Sequence, residues 1–349
     1  IYRWVVVLLG VAIAMLAFAF GTNAQSLDGL LYGKVYTKSG SSYTGVIRWG
    51  NEEALWADLF NAGKVTDRYA KLVPEKQPDT ESWFNIDWSL GSIWEDHVVA
   101  HQFNTQFGNL SQITRLSDSR ARLKFRNGSE MEVSGDGYND LGSRIHVADH
   151  ELGTISFDWE KIDRVEFMET PSRPAATFGT PLYGTVEGVR KESFTGFIVW
   201  DNDERLTSDK LDGDDDDGDQ SFKFGEIASI EKEGRGSRVT LKSGREFYLT
   251  GSNDVNSENR GVLVSVEGVG VVQFSWDAFR KVTFTSPPKS GISFDKFSKP
   301  RLLQGTVSRL DGDDLSGRII YDIDEILDFE IIEGDENNIM YHLPIRNIK

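Results

Sequence analysis

The densest concentration of metal-binding side chains in this 349-residue chain is the run Asp212-Gly213-Asp214-Asp215-Asp216-Asp217-Gly218-Asp219. Clustered carboxylates suit Ca²⁺, a hard cation that collects six to eight oxygen ligands. Asp212, Asp214, Asp215, Asp216, Asp217 and Asp219 are therefore candidate calcium ligands. The run is not an EF-hand loop, because Gly213 stands where the first aspartate should be and no glutamate closes it. The alternative is a solvated acidic turn, the common state of a run of like charges. A shorter acidic cluster, Asp311-Gly312-Asp313-Asp314, falls in a comparable hairpin position.

Aromatic side chains form the second group. Trp83, Phe84, Trp88 and Trp94 lie within one stretch, and flat rings of this kind stack on sugar faces or anchor a protein partner. Phe84, Ile86, Trp88 and Leu90 also alternate with polar residues, which is the period of a core-facing strand. Trp83 and Trp94 fall off that face, so they are the better binding candidates, with Trp88 shared between the two readings. A third group occurs twice, as Asn139-Asp140 with Arg144 and as Asn253-Asp254-Val255-Asn256 with Arg260. Asn and Asp cap turns with their own side chains, and an arginine can pair with the aspartate across the loop. A fold-holding turn and a ligand site repeated in each copy both fit. His97/His101 and His146/His150 are spaced four apart. That spacing binds zinc on a helix, but here it sits in strand or loop and lacks the metalloprotease glutamate.

Catalytic signatures are absent. There is no G-x-S-x-G elbow, phosphate-cradling glycine loop or dinucleotide fingerprint. The net charge is −17, which disfavours nucleic acid and anionic membrane surfaces, both of which are bound through clustered Lys and Arg. Cations, neutral glycans and proteins are the easier partners. Arg3 followed by the apolar run Trp4–Phe20 and then small residues has the layout of a secretory signal, with cleavage expected after Ala24. The chain has no cysteine, so it uses neither disulfides nor thiol chemistry, and export without disulfides suits a bacterial envelope or secreted protein.

The elements that must position these groups come from a repeat. Leu31-Tyr32-Gly33-Lys34-Val35 with Tyr43-Thr44-Gly45 matches Leu182-Tyr183-Gly184-Thr185-Val186 with Phe194-Thr195-Gly196, and again Leu303-Gln304-Gly305-Thr306-Val307 with Leu315-Ser316-Gly317. In each copy the two glycines are twelve apart, and three matches at one spacing mark an internal repeat. A second unit, matched between Arg122–Gly128 and Arg238–Gly244, alternates with the first. The order is a signal segment at 1–24, then A1 (30–115), B1 (116–168), A2 (181–231), B2 (232–286) and A3 (301–349). Segments 177–181 and 286–299 read as linkers. A1 is longer than A2 by an insertion of about 34 residues, which holds the tryptophans.

Each unit closes on apolar residues spaced three and three, as in Phe107, Leu110, Ile113 or Trp159, Ile162, Val165. In A3 the same spacing is read at His342, Ile345 and Ile348. A period of three fits a single 3₁₀ turn between two strands. Strand, short turn and strand at the end of a β unit of about 50 residues resembles the SH3-like and Sm-like small barrels. The expected fold is therefore all-β, with tandem small barrels in alternating A and B units, in an exported bacterial protein that is periplasmic, cell-surface or secreted. The expected function is non-enzymatic binding or scaffolding, with an envelope protein or a neutral glycan as partner. No cofactor is expected apart from calcium. Two alternatives stand beside it: a calcium-stabilised surface array, and an accessory region of a longer enzyme or transport-associated protein, since A3 finishes at Lys349 where a B unit would be due.

Overall fold

The structure, a computed structural model, describes residues 27–65, 102–321 and 325–348. The signal-like segment, Trp83, Trp88, Trp94, His97 and His101 lie outside these residues. The described chain is all-β, built from strands and single 3₁₀ turns. A1 contributes β1 (Tyr32–Thr37), β2 (Ser42–Trp49), β3 (Leu59–Lys64), β4 (Gln102–Gln106) and β5 (Leu110–Arg115), and B1 contributes β6 (Arg120–Phe125), β7 (Glu130–Ser134), β8 (Ile145–Asp149), β9 (Gly153–Phe157) and β10 (Ile162–Phe167). A2 and B2 repeat this series as β11 (Tyr183–Gly188), β12 (Ser193–Trp200), β13 (Lys210–Asp215), β14 (Gly218–Lys223) and β15 (Ile227–Glu233), then β16 (Gly236–Leu241), β17 (Glu246–Leu249), β18 (Val262–Val266), β19 (Gly270–Phe274) and β20 (Phe279–Phe284). A3 supplies β21 (Gln304–Val307), β22 (Leu315–Arg318), β23 (Ile331–Glu336) and β24 (Ile339–Pro344).

Strand pairing crosses the half-unit boundaries. The first sheet runs β4-β3-β7-β6-β5-β10-β1-β2-β8-β9, so β10 of B1 lies between β5 and β1 of A1, and β8 of B1 pairs with β2. The second sheet repeats eight of these strands in the same order, from β17 to β19. A and B are thus two halves of one antiparallel sheet, and neither sheet closes on itself among the described residues. The reason lies in the period-two pattern. Val35, Ile47, Val147 and Val165 are buried from four neighbouring strands and share one core, which neither half could fill alone.

The ends of the sheets differ. β3 and β4 extend the first sheet beyond β7, whereas their counterparts β13 and β14 form a separate hairpin that touches Thr250 through a single bridge from Asp214. At the other end β9 is an edge, while β19 is covered by β24 and β23 of A3. A3 also reaches the first module. Phe329 is wholly buried and packs tilted against Phe125 and edge-on to Phe103, at ring-centroid distances of 4.9 and 6.3 Å.

The expected 3₁₀ turns form at Phe107–Asn109, Trp159–Lys161 and Phe224–Glu226, whereas B2 makes a plain turn at 276–278 instead. The A3 register is corrected by three residues, since its turn is Ile345–Asn347 and His342 lies within β24. The backbone N–H of Ile345 donates to Glu330, as Phe107 does to Asp58 and Phe224 to Asp209, which makes these three positions equivalent. The segment expected to be a linker at 286–299 is instead a buckle. Phe294 packs on Trp56 at 4.5 Å between ring centroids, and Arg126 donates to the carbonyls of Phe294 and Phe297. Gly108 lies under the Phe297 ring, where any Cβ would collide with it.

If A3 is integral to the first module's core, Phe329→Ala should cost about 3–5 kcal/mol, the range for truncating a buried phenylalanine. A chemical-denaturation midpoint unchanged from the parent would contradict that packing.

Candidate functional site

The charged groups that this fold buries gather where the A units meet. In the A units the segments 54–58, 205–209 and 326–330, which lie beyond β2, β12 and β22, each turn tightly and are capped by the carboxylate at their end. Asp58 accepts the N–H groups of Ala54 and Leu55, both at 2.8 Å. Asp209 accepts those of Arg205 and Leu206, both at 2.9 Å, and Glu330 those of Ile326 and Leu327 at 2.7 and 2.8 Å. Each carboxylate thereby satisfies two donors that a tight turn leaves exposed.

Every one of these carboxylates is then met by a cation from another unit. Arg205 of A2 reaches Asp58 at 3.1 Å, Arg48 of A1 reaches Asp209 at 2.7 Å, and Lys64 of A1 reaches Glu330 at 2.6 Å. The first two pairs run in opposite directions, so A1 and A2 each give the contact one cation and one carboxylate. Leu30, Val46, Leu55, Phe197 and Leu206 fill the apolar seam beside them. Arg205 and Asp58 are 7% and 2% exposed, against 17% and 12% for Arg48 and Asp209.

The repeated Asn-Asp turns of the B units stand on the other side of each A turn. Asp140 accepts the backbone N–H of Asn61 on β3, and its carbonyl accepts the Trp49 indole N–H at 2.7 Å. Asp254 does the same for Asp212 on β13 at 2.7 Å and for Trp200 at 2.9 Å. Each aspartate latches its B half to its A half. Asn139 and Asn253 extend the latch by donating to Glu52 and Asp201, and Asn256 accepts from Glu258 within its own turn. The arginines take other partners than the sequence suggested. Arg144 pairs with Asp158 at 2.7 Å, and Arg260 pairs with Asp203 at 2.7 Å and Asp201 at 3.2 Å. The aspartate of the turn is unavailable to them because it already faces inward to a backbone N–H.

Burial shifts the titration of these groups. Desolvation raises Asp140 to about 7 and Asp254 to about 6, against the hydrogen bonds from Asn61 and Asp212 that pull the other way. Desolvation also raises Glu53, and it raises Glu204 with help from Asp203. Shifted groups of this kind mark functional sites or structural ion-pair networks, and here each has a place in the joint between half-units.

Asp201, Asp203 and Glu204 bring carboxylate oxygens within 4.8 Å of one another, the one such group of three among the described residues. The guanidinium of Arg260 already supplies positive charge to two of them. The chain turns here through positive φ at Asp201 (47°) and Asn202 (68°), a backbone geometry that no sequence pattern announces. Beside it lies a cleft of about 430 Å³ between the modules, lined by Arg48, His146, Phe178, Asp203, Glu204 and Asp209. Its charges are of both signs and largely committed to one another.

The six candidate calcium ligands are distributed along the β13–β14 hairpin. Asp212, Asp214 and Asp219 line a cleft of about 300 Å³, with Asp214 directly opposite Asp219. Asp215 instead accepts from Asp217 and Gln220, and Asp216 and Asp217 form the turn. His146 contacts Ser156 at 2.7 Å while His150 sits beside Glu151, so that pair does not converge. No helix among the described residues is long and apolar enough to cross a membrane. Comparison with protein-family models, with curated proteins and with solved structures finds no match.

Two predictions follow from the joint. Arg205→Ala leaves Asp58 buried without its cation and should cost about 3–5 kcal/mol, with a smaller loss for Arg48→Ala at the more exposed pair. Equal effects would argue against burial as the deciding factor. A carboxyl group whose folded pKa is raised contributes stability that is full below its unfolded pKa near 4 and is lost as pH rises through the folded value. Stability should therefore fall between about pH 4 and pH 7 on account of Asp140 and Asp254. Asp140→Asn and Asp254→Asn, which keep an acceptor oxygen, should flatten that slope in melting curves measured across the range. A variant slope equal to that of the parent would show that these groups are not its source.

Proposed function

We propose that this chain is an exported, non-enzymatic binding or scaffolding protein of the bacterial envelope that takes protein partners on its A3 unit. The observation that carries the reading is the β21–β22 hairpin, which forms a two-stranded sheet of its own. Its apolar side chains face solvent, with Val307 49%, Leu315 57% and Leu310 107% exposed. Contiguous exposed apolar surface on a soluble protein marks an interaction site, and an open strand edge is a template for strand addition. The hairpin is held on a firm base, because the turn that follows it is tied to Lys64 and β24 is paired to β19. The signal-like start and the lack of cysteine support the envelope as its setting.

A photoreactive residue in place of Leu310 should give discrete adducts with envelope extract. The same residue at Leu152, exposed on the first module, should not. Absence of adducts at position 310, or the same adducts at both positions, would defeat the proposal.

A further inference from the structure

We infer that the β21–β22 hairpin is an acceptor for a B-type half-unit: two antiparallel strands that add to its outer edges as β10 and β8 add to β1 and β2. This deepens the binding reading above by naming the chemistry of the partner, and it rests on that reading only for its biological setting.

The argument begins with glycines. In A1, Gly33 and Gly45 stand opposite each other across the β1–β2 pair. A Cβ on Gly33 would strike the carbonyl oxygen of Glu166 on β10, and one on Gly45 would strike that of Ala148 on β8. In A2, Gly184 and Gly196 are again opposite, and they are closed off in the same way by Thr283 on β20 and Ser265 on β18. Glycine is needed at these four positions because a B strand passes so close on each side.

A3 carries the same opposed pair, Gly305 and Gly317, but among the described residues no B strand stands beside it. Among the described residues nothing lies within 4 Å of a Cβ built on Gly317, and only the flexible end of Ile319, at 2.9 Å, is near one built on Gly305. Glycine costs strand stability in an exposed hairpin, so the pair has no local reason to be there. It has one if strands of the B type pack against it.

The side chains make an independent case. Val35 and Val186 are fully buried under their B strands, and Val307 occupies the same position half exposed. Trp49 and Trp200 donate their indole N–H groups to the carbonyls of Asp140 and Asp254 in the B latch. The equivalent residue in A3 is Tyr321, an aromatic with a hydroxyl donor, 49% exposed. The hairpin therefore presents the apolar seat, the glycine clearance and the polar-tipped ring that the other two A units use for a B half-unit.

The test extends the full chain by appending a second copy of residues 228–286 after Ile348, the position equivalent to Ile227. Amides of Gln304–Val307 and Leu315–Arg318 should gain at least roughly hundredfold protection from hydrogen exchange, with β11 and β12 as internal references for a folded body. Gly317→Val should abolish that gain in the extended chain. In the unextended chain, where the site is open, the same substitution should leave the melting temperature unchanged, whereas Gly45→Val and Gly196→Val should prevent folding. Unprotected hairpin amides in the extended chain, or protection that survives Gly317→Val, would overturn the proposal. So would a dimer of the unextended chain that Gly317→Val dissociates, because the occupant would then be a second copy. A protected hairpin together with no adducts at position 310 would retain the acceptor chemistry and remove the envelope-binding reading.

Discussion

A carboxylate buried at the end of a tight turn has to be neutralised, and in this chain the neutralising cation always comes from a different repeat. Asp58, Asp209 and Glu330 each close their own turn with two backbone hydrogen bonds. Having been taken out of water, they hold Arg205, Arg48 and Lys64 against them. Burying an ion pair adds little net stability compared with an apolar contact of the same size, but leaving one member unpaired is costly. The arrangement therefore specifies more than it stabilises. A1 fits A2, and A3 fits A1, only in the orientation that brings each cation to its carboxylate. The apolar seam of Leu30, Leu55 and Leu206 then supplies the burial.

The same logic works within each module at the Asn-Asp turns. Asp140 and Asp254 each tie together one strand and one tryptophan from the other half of their module. Because the aspartate side chain and its own carbonyl are both used, the latch reads backbone position and side-chain identity together. The neighbouring arginines are left to pair with other acidic groups, the more exposed Asp158 in one module and the buried Asp201 with Asp203 in the other.

Much of this architecture was legible in the residues. The glycine spacing, the alternation of apolar side chains and the short turns at Phe107, Trp159 and Phe224 are local, so the all-β class and the repeat could be read directly. Strand pairing was not local. Nothing near β1 announces that its partner is β10, so the half-units looked like separate barrels until the sheet order joined them. His342 entered the wrong register because apolar residues three apart fit equally well when slid by three, and only the backbone bond from Ile345 to Glu330 decides between the two. The cations escaped notice because they lie at unrelated places in their repeats, Arg48 on β2, Lys64 on β3 and Arg205 within the turn itself. Sequence reading singled out Asp140 and Asp254 but left a fold-holding turn and a ligand site both open, because their reach to β3, β13 and the two tryptophans is not local.

The interleaving of A and B strands also dictates an order of assembly. Gly33 cannot take its final neighbour until Phe167 has arrived, and the second module repeats the delay between Gly184 and Phe284. Pairings this distant along the chain are slow to form, since the loop must close before any contact rewards it. During that interval the early hairpins stand with open edges, the condition in which β-rich chains associate wrongly with one another. The β13–β14 hairpin carries its acidic run through the same interval, and like charges at such density keep neighbouring copies apart. A run of aspartates can thus act before the fold is complete, as a guard on the chain while it folds.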